Sequence, residues 1–237
     1  MFTDFIKQFD HIAERVKATT LSTEPWDHLY VRNIFEEDFY EEMIKFPQWQ
    51  ETQLCLDANA QELGRQTTIF NTENNVYRNN LEEFNDKTNM LFHLLTDKFS
   101  ETEYRDDYVT CTSNFWEDTN ALVIQDIHTD AFFDTRFSLS GQFYLPPLND
   151  QSQIDYGTSL YKYIGDDISK HSQQNEGLLH PSLVFEEHEC YYENSLTVPF
   201  ESNSALFTIN KANTWHRAPR NIKPSDIRKS MMFRWKV

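Results

Sequence analysis

After residue 107 the chain breaks into short apolar or alternating runs, one after another, and this succession restricts the fold more than any other feature. The runs are Tyr108 to Ser113, Ala121 to His128, Ser138 to Leu145, Leu160 to Ile164, Leu183 to Phe185, Leu196 to Phe200, Ala205 to Ile209 and Lys229 to Val237. Short runs bounded by polar and turn-forming residues read as strands. About eight strands after a helical start predict a mainly β fold, two packed sheets of jelly-roll type with the N-terminal helices on one outer face. Polar residues 165 to 181 read as a loop inserted between strands.

The first part of the chain is built differently. Phe2, Phe5, Phe9, Ile12 and Val16 recur at helical spacing and predict an amphipathic helix that packs on the rest of the molecule. His28 to Arg32 alternates like a strand, and a second helix carrying Phe35, Phe39, Met43 and Phe46 is ended by Pro47. Residues 50 to 80, rich in Asn, Gln and Thr, predict a long irregular connection with one strand-like piece at Gln66 to Phe70. Asn80 and Glu83 then cap a third helix with Leu81, Phe84, Leu91, Leu95 and Phe99 on one face. The expected organisation is one domain over residues 1–237, with 1–105 a helical and mixed support region and 106–237 the jelly-roll core. Aromatic residues make up 15% of the chain, so that core should be rich in Phe and Tyr.

A formal net charge of −17 disfavours nucleic acid and anionic membrane surfaces as partners, because both are held by clustered Lys and Arg. No apolar run approaches the roughly 20 residues needed to span a bilayer, and the start MFTDFIKQFDH has no basic leader, so a cytoplasmic protein is expected. Cys55, Cys111 and Cys190 are too few and scattered for a disulfide framework, which agrees with a reducing compartment.

The chemistry concentrates in a few residues. His128-Thr129-Asp130 ends an apolar strand, and side chains two apart on a strand share a face, so imidazole and carboxylate can converge on one ion. His216, in Thr214-Trp215-His216-Arg217, is the candidate third ligand, and two His with one carboxylate leave positions open in the manner suited to ferrous iron. A structural zinc site would close four positions with protein ligands. Arg228 and Ser230 share one face of the predicted last strand, and a guanidinium matches a carboxylate bidentately, so this pair is a candidate anchor for a carboxylate cosubstrate. Residues 211–237 hold eight basic residues against Asp226 alone, a net of +7, which either attracts a dianion or pairs with acidic neighbours. Asp126, two before His128, could orient an imidazole, serve as a ligand or be a solvated carboxylate.

His128-x-Asp130, His216 and Arg228-x-Ser230, in that order and spacing, resemble the iron(II) and 2-oxoglutarate-dependent dioxygenase superfamily, in its prolyl-hydroxylase-like branch. Further similar segments are Pro25 to Pro47, Gln142-Phe143-Tyr144-Leu145-Pro146, Tyr156-Gly157-Thr158-Ser159-Leu160-Tyr161 and Trp215-His216-Arg217-Ala218-Pro219. The resemblance implies a double-stranded β-helix. It implies that His128, Asp130 and His216 hold Fe(II), and that Arg228 anchors the far carboxylate of 2-oxoglutarate with Ser230 and Tyr144 as helpers. It further implies an oxygenase that uses O2, is stimulated by ascorbate, and hydroxylates a peptide side chain or small metabolite with release of succinate and carbon dioxide. Two features depart from simple family patterns. Collagen-type prolyl hydroxylases usually anchor the cosubstrate with Lys, and the alkylated nucleic acid repair enzymes carry Asn where Ser230 stands. The alternative is a non-catalytic jelly-roll or cupin-like protein that binds metal or ligand in the same pocket.

Overall fold

The computed structural model describes residues 2–45, 53–56, 62–68, 81–101, 104, 109–119, 126–130, 138–167, 184, 186–219, 222–223 and 225–237. The N-terminal periodicity becomes helix α1 (Phe2–Ala18), with Asp4 in its first turn and Arg15 and Lys17 in its last, each charge complementing the helix dipole. Strand β1 (His28–Arg32) and helix α2 (Glu37–Met43) follow. The helix begins after Phe35, and of its residues only Tyr40 and Met43 are fully buried; Phe46 and Pro47 lie outside the described residues.

Within the connection expected over 50–80 the described residues form two strands, β2 (Gln53–Leu56) and β3 (Glu62–Thr68), which pair antiparallel; β3 overlaps the strand-like piece expected at Gln66 to Phe70, and the rest of the connection lies outside the described residues. Their polar sequence hides the strand, whose stability comes from ladder bonding beside β4 (Thr110–Thr119) rather than from an apolar alternation. Helix α3 (Leu81–Lys98) comes between, and its expected cap Asn80 lies outside the described residues.

The remaining strands are β5 (Ser138–Tyr144), β6 (Ser159–Tyr163), β7 (Tyr192–Thr197), β8 (Ser204–Ile209), β9 (His216–Arg217) and β10 (Ile227–Lys236). The apolar run Leu196 to Phe200 overlaps β7 only at its end. Val198 and Phe200 lie beyond the strand, buried in the core. Of the run Ala121 to His128, residues 121–125 lie outside the described residues, and His128 joins the sheet through an isolated bridge to His216. Only Val184 of the run Leu183 to Phe185 is described; its N–H donates to the Ile127 carbonyl.

Strands β1-β8-β5-β10-β4-β3-β2 form one antiparallel sheet, and β7-β6-β9 the other. Strands from before residue 106 thus take three of the seven places in the larger sheet. Strand β10, central in that sheet, separates two environments by simple alternation. Met231, Phe233 and Trp235 face outward into a cluster with Phe5 and Phe9 of α1 and Phe84, Leu91 and Leu95 of α3. Arg228, Met232 and Arg234, on the opposite parity, line a cavity that also meets residues near the smaller sheet. Cys111 and Cys190 carry free thiols. Among the described residues no helix is long and apolar enough to cross a membrane.

Candidate metal centre

His128 and His216 are brought together by backbone before any side chain acts. Each donates its N–H to the other's carbonyl, at 3.0 and 2.9 Å, and this antiparallel bridge puts both side chains on one face. Their rings lie 4.4 Å apart, centroid to centroid. Asp130 reaches the same point: His128 Nε2 is 3.9 Å from its Oδ1 and His216 Nε2 is 3.6 Å from its Oδ2. One donor atom from each of the three lies within 4.8 Å of the others.

The tautomers suit a metal. His128 Nδ1–H donates to the Asp126 carbonyl at 2.9 Å, and His216 Nδ1–H to the Thr214 carbonyl at 3.0 Å. A carbonyl only accepts, so each ring carries a proton on Nδ1 and turns its Nε2 to the Asp130 side, where the neutral form offers a lone pair. Asp126 therefore orients an imidazole, as the sequence allowed, through its main-chain oxygen. Arg234 Nη2 donates to Asp130 Oδ2 at 3.1 Å and steadies the carboxylate. Burial, with His216 beside it, pushes the His128 pKa down to about 4. Burial acts the same way on His216, but the adjoining Asp130 carboxylate outweighs it and raises that pKa. Asp130 is pushed up by burial, yet Arg234 and the two imidazoles hold it well below the usual carboxylate range. A neutral imidazole beside an ionised carboxylate is the state a divalent cation needs.

The cavity around these groups has a volume of about 210 Å³. Arg228, 1% exposed, lies among its lining, with the guanidinium carbon 5.6 Å from the Tyr144 ring centre and 5.1 Å from that of Phe200. Its Nε–H donates to the Tyr156 carbonyl at 2.7 Å and its Nη1 to Asp118 Oδ2 at 2.5 Å, while Nη2 is buried with no partner among the described residues. Asp118 stands directly opposite Arg228 in the pairing of β4 with β10, and its other oxygen accepts from Trp116 Nε1. Burial pushes the Asp118 carboxyl up, against the pull of Arg228 and Trp116.

Tyr144 and Ser230, expected as carboxylate helpers, do not line the cavity. The Tyr144 hydroxyl donates to Thr158 Oγ1 at 2.8 Å, which donates to Gln142 Oε1 at 3.1 Å; Gln142 Nε2 is 3.5 Å from Ser230 Oγ. Thr158 and Gln142 take the lining places instead. Thr158 is held there by the turn at Gly157, where any Cβ would strike the Val198 carbonyl. Sequence reasoning missed Asp118, Trp116, Gln142 and Thr158. Arg234, two residues beyond Met232 on the cavity face of β10, is one of the eight basic residues counted in the C-terminal segment.

Several solved structures share this architecture. The epimerase SnoN in complex with Fe3+, alpha ketoglutarate and nogalamycin RO aligns with a TM-score of 0.54 at 12% identity, over 96% of this chain and 83% of SnoN. This chain has the same jelly-roll fold. EvdO2 from Micromonospora carbonacea var. aurantiaca, complexed with 2-oxoglutarate, aligns with the jelly roll at a TM-score of 0.51 and 11% identity, over 95% and 89% of the two chains. A prolyl 4-hydroxylase from Phytophthora capsici gives 0.53 at 10% identity, over 96% of this chain and 65% of its own. At these identities the likeness is one of fold. No protein-family model and no curated protein matches the sequence.

Proposed function

We propose that this protein is an iron(II)- and 2-oxoglutarate-dependent oxygenase that hydroxylates a peptide side chain or a small metabolite. The observation that carries this reading is the pair of histidines with both Nδ1 protons committed to backbone carbonyls and both Nε2 atoms turned to Asp130. Two neutral imidazoles and one carboxylate on one side of an ion form the donor set of an open ferrous site, and the three residues fit that ion in charge and spacing. Ferrous iron held there supplies the oxidising chemistry: O2 and 2-oxoglutarate are consumed, succinate and carbon dioxide leave, and a substrate C–H becomes C–OH.

The chain's own residues supply the rest. His128, Asp130 and His216 hold the metal and leave the remaining positions open. Arg228, fixed by the Tyr156 carbonyl and Asp118, presents its unpartnered Nη2 to the far carboxylate of the cosubstrate. Rings of Tyr144 and Phe200 beside it keep water from that end. What SnoN and EvdO2 are stated to bind, alpha ketoglutarate and 2-oxoglutarate, agrees with this assignment.

The test is succinate release from 2-oxoglutarate in the presence of ferrous iron, ascorbate and oxygen, screened over amino acids, peptides and small metabolites. Iron-dependent succinate is expected from the wild-type protein and none above background from His216→Ala. Equal turnover in that variant removes His216 from the site. No succinate with any substrate class, and no uncoupled release, favours a binding protein on the same fold.

A further inference from the structure

A second cavity, of about 570 Å³, lies on the outer face of the smaller sheet, away from the candidate metal centre. Strand alternation places it there. Thr197, Ser159 and Arg217 stand opposite one another across β7, β6 and β9, and all three line this cavity. Leu160 and His216, paired one residue along, point the other way, Leu160 into the core and His216 to Asp130. Among the described residues Ala218 alone touches both cavities.

The lining selects a ligand by exclusion. Tyr156 and Tyr161 are 5% and 3% exposed, and the Arg217 guanidinium covers the Tyr161 ring at 5.2 Å, so Ala218 and Pro219 are the main apolar surface. Net charge does not select a ligand either. Arg217 Nη1 donates to both carboxylate oxygens of Glu189 at 3.1 Å, and Lys223 shares the cavity with Asp155, so two positive charges face two negative ones. What remains is a set of neutral groups that both donate and accept, the hydroxyls of Ser152, Ser159 and Thr197 and the amide of Asn194. The oxygens of Ser159 and Thr197 lie 2.9 Å apart, and Asn194 Nδ2 donates to Thr197 Oγ1 at 3.3 Å. This ties the row together and leaves the Asn194 side-chain oxygen and its second N–H to a ligand.

A sugar matches such a surface, because each of its hydroxyls donates and accepts at once and the molecule carries no charge. We propose that this cavity is a binding site for a neutral saccharide, separate from the cavity of the candidate metal centre. Asp155 and Asn194, both exposed, accept from its hydroxyls, and Lys223 donates to them. The site stands on this lining and does not depend on the oxygenase reading.

Saturation-transfer difference NMR on the metal-free full chain tests it. The probes are glucose, galactose, mannose, N-acetylglucosamine and maltose, with glutamate and inorganic phosphate as charged controls. At least one sugar is expected to receive transfer and to titrate with a Kd in the millimolar range. The double variant Asp155→Ala/Asn194→Ala, two exposed side chains outside the core, is expected to weaken that binding at least about tenfold while its Zn(II) affinity stays at the wild-type level. Should that variant not fold, Lys223→Ala, from a different loop, carries the same expectation. Absence of transfer to every one of these sugars overturns the proposal. So does tighter binding of glutamate or phosphate than of any sugar, or equal sugar affinity in the variant. Transfer that appears only after Zn(II) is added would put the sugar in the other cavity and overturn it too.

Discussion

Arg228 and Asp118 form a buried pair with side chains 1% and 3% exposed. Removing one member of such a pair strands the other charge, at a cost of about 3–5 kcal/mol, whereas replacing both with apolar groups is often close to neutral. Urea unfolding of Arg228→Leu is therefore expected to show a loss of about 3–5 kcal/mol, and the double variant Asp118→Leu/Arg228→Leu to recover more than half of it. A single variant as stable as wild type would mean that the pair is not desolvated. The metal ligands were legible in the sequence and Asp118 was not, for a physical reason. His128 and Asp130 announce themselves by two-residue spacing at a strand end, a pattern visible in one dimension. Asp118 meets Arg228 across 110 residues, only through the register of β4 against β10, and nothing in Trp116-Glu117-Asp118 signals that register. Tyr144 and Ser230 show the converse: they sit on the strands beside the cavity, but their hydroxyls bond Thr158 and Gln142, which line it.

Strand β10 serves the core with one face and the site with the other, so a change on the outer face should leave the inner one intact. Phe233 lies 6.3 Å from Phe5 in a stacked arrangement, and 6.0 and 5.4 Å from Phe9 and Phe143 edge to face. It is 1% exposed. Phe233→Ala is expected to cost about 3–5 kcal/mol in denaturant unfolding, the usual range for a buried Phe, without altering Mn(II) affinity. A weakened metal site at unchanged stability would contradict this division of faces. Helices α1 and α3 and strands β5, β8 and β10 could be read because their apolar periods are strong. Strand β2 could not, and of β3 only the end from Gln66 was legible, because Gln, Glu, Arg and Thr in their sequences carry no such period; the place of β3 follows from the edge of β4 and that of β2 from the edge of β3.

Across the whole molecule the net charge of −17 is unevenly spread, with the basic C-terminal segment set against an acidic remainder. Lys211, Arg217, Arg228, Lys229 and Arg234 pair with Glu101, Glu189, Asp118, Glu117 and Asp130, so much of that basicity knits the last strand and its approach to the rest of the chain. The excess negative charge remains and repels itself. Raising ionic strength from about 0.01 to 0.1 M shortens the screening length from about 30 to 10 Å and should stabilise the protein. A gain of about 1 kcal/mol would appear as a rise in Tm of roughly 2–4 °C for a chain of this size, and a fall in Tm would show that the ion pairs dominate instead. The same segment carries His216 and Arg228 into the cavity, which joins the charge distribution of the molecule to its proposed chemistry. The most direct measurement of that chemistry is an anaerobic titration of the metal-free protein with ferrous iron and then 2-oxoglutarate, followed in the visible. A charge-transfer band that requires both additions, saturates at one iron per chain and is lost in His216→Ala is expected; no band at saturating concentrations of both would contradict the assignment of this site.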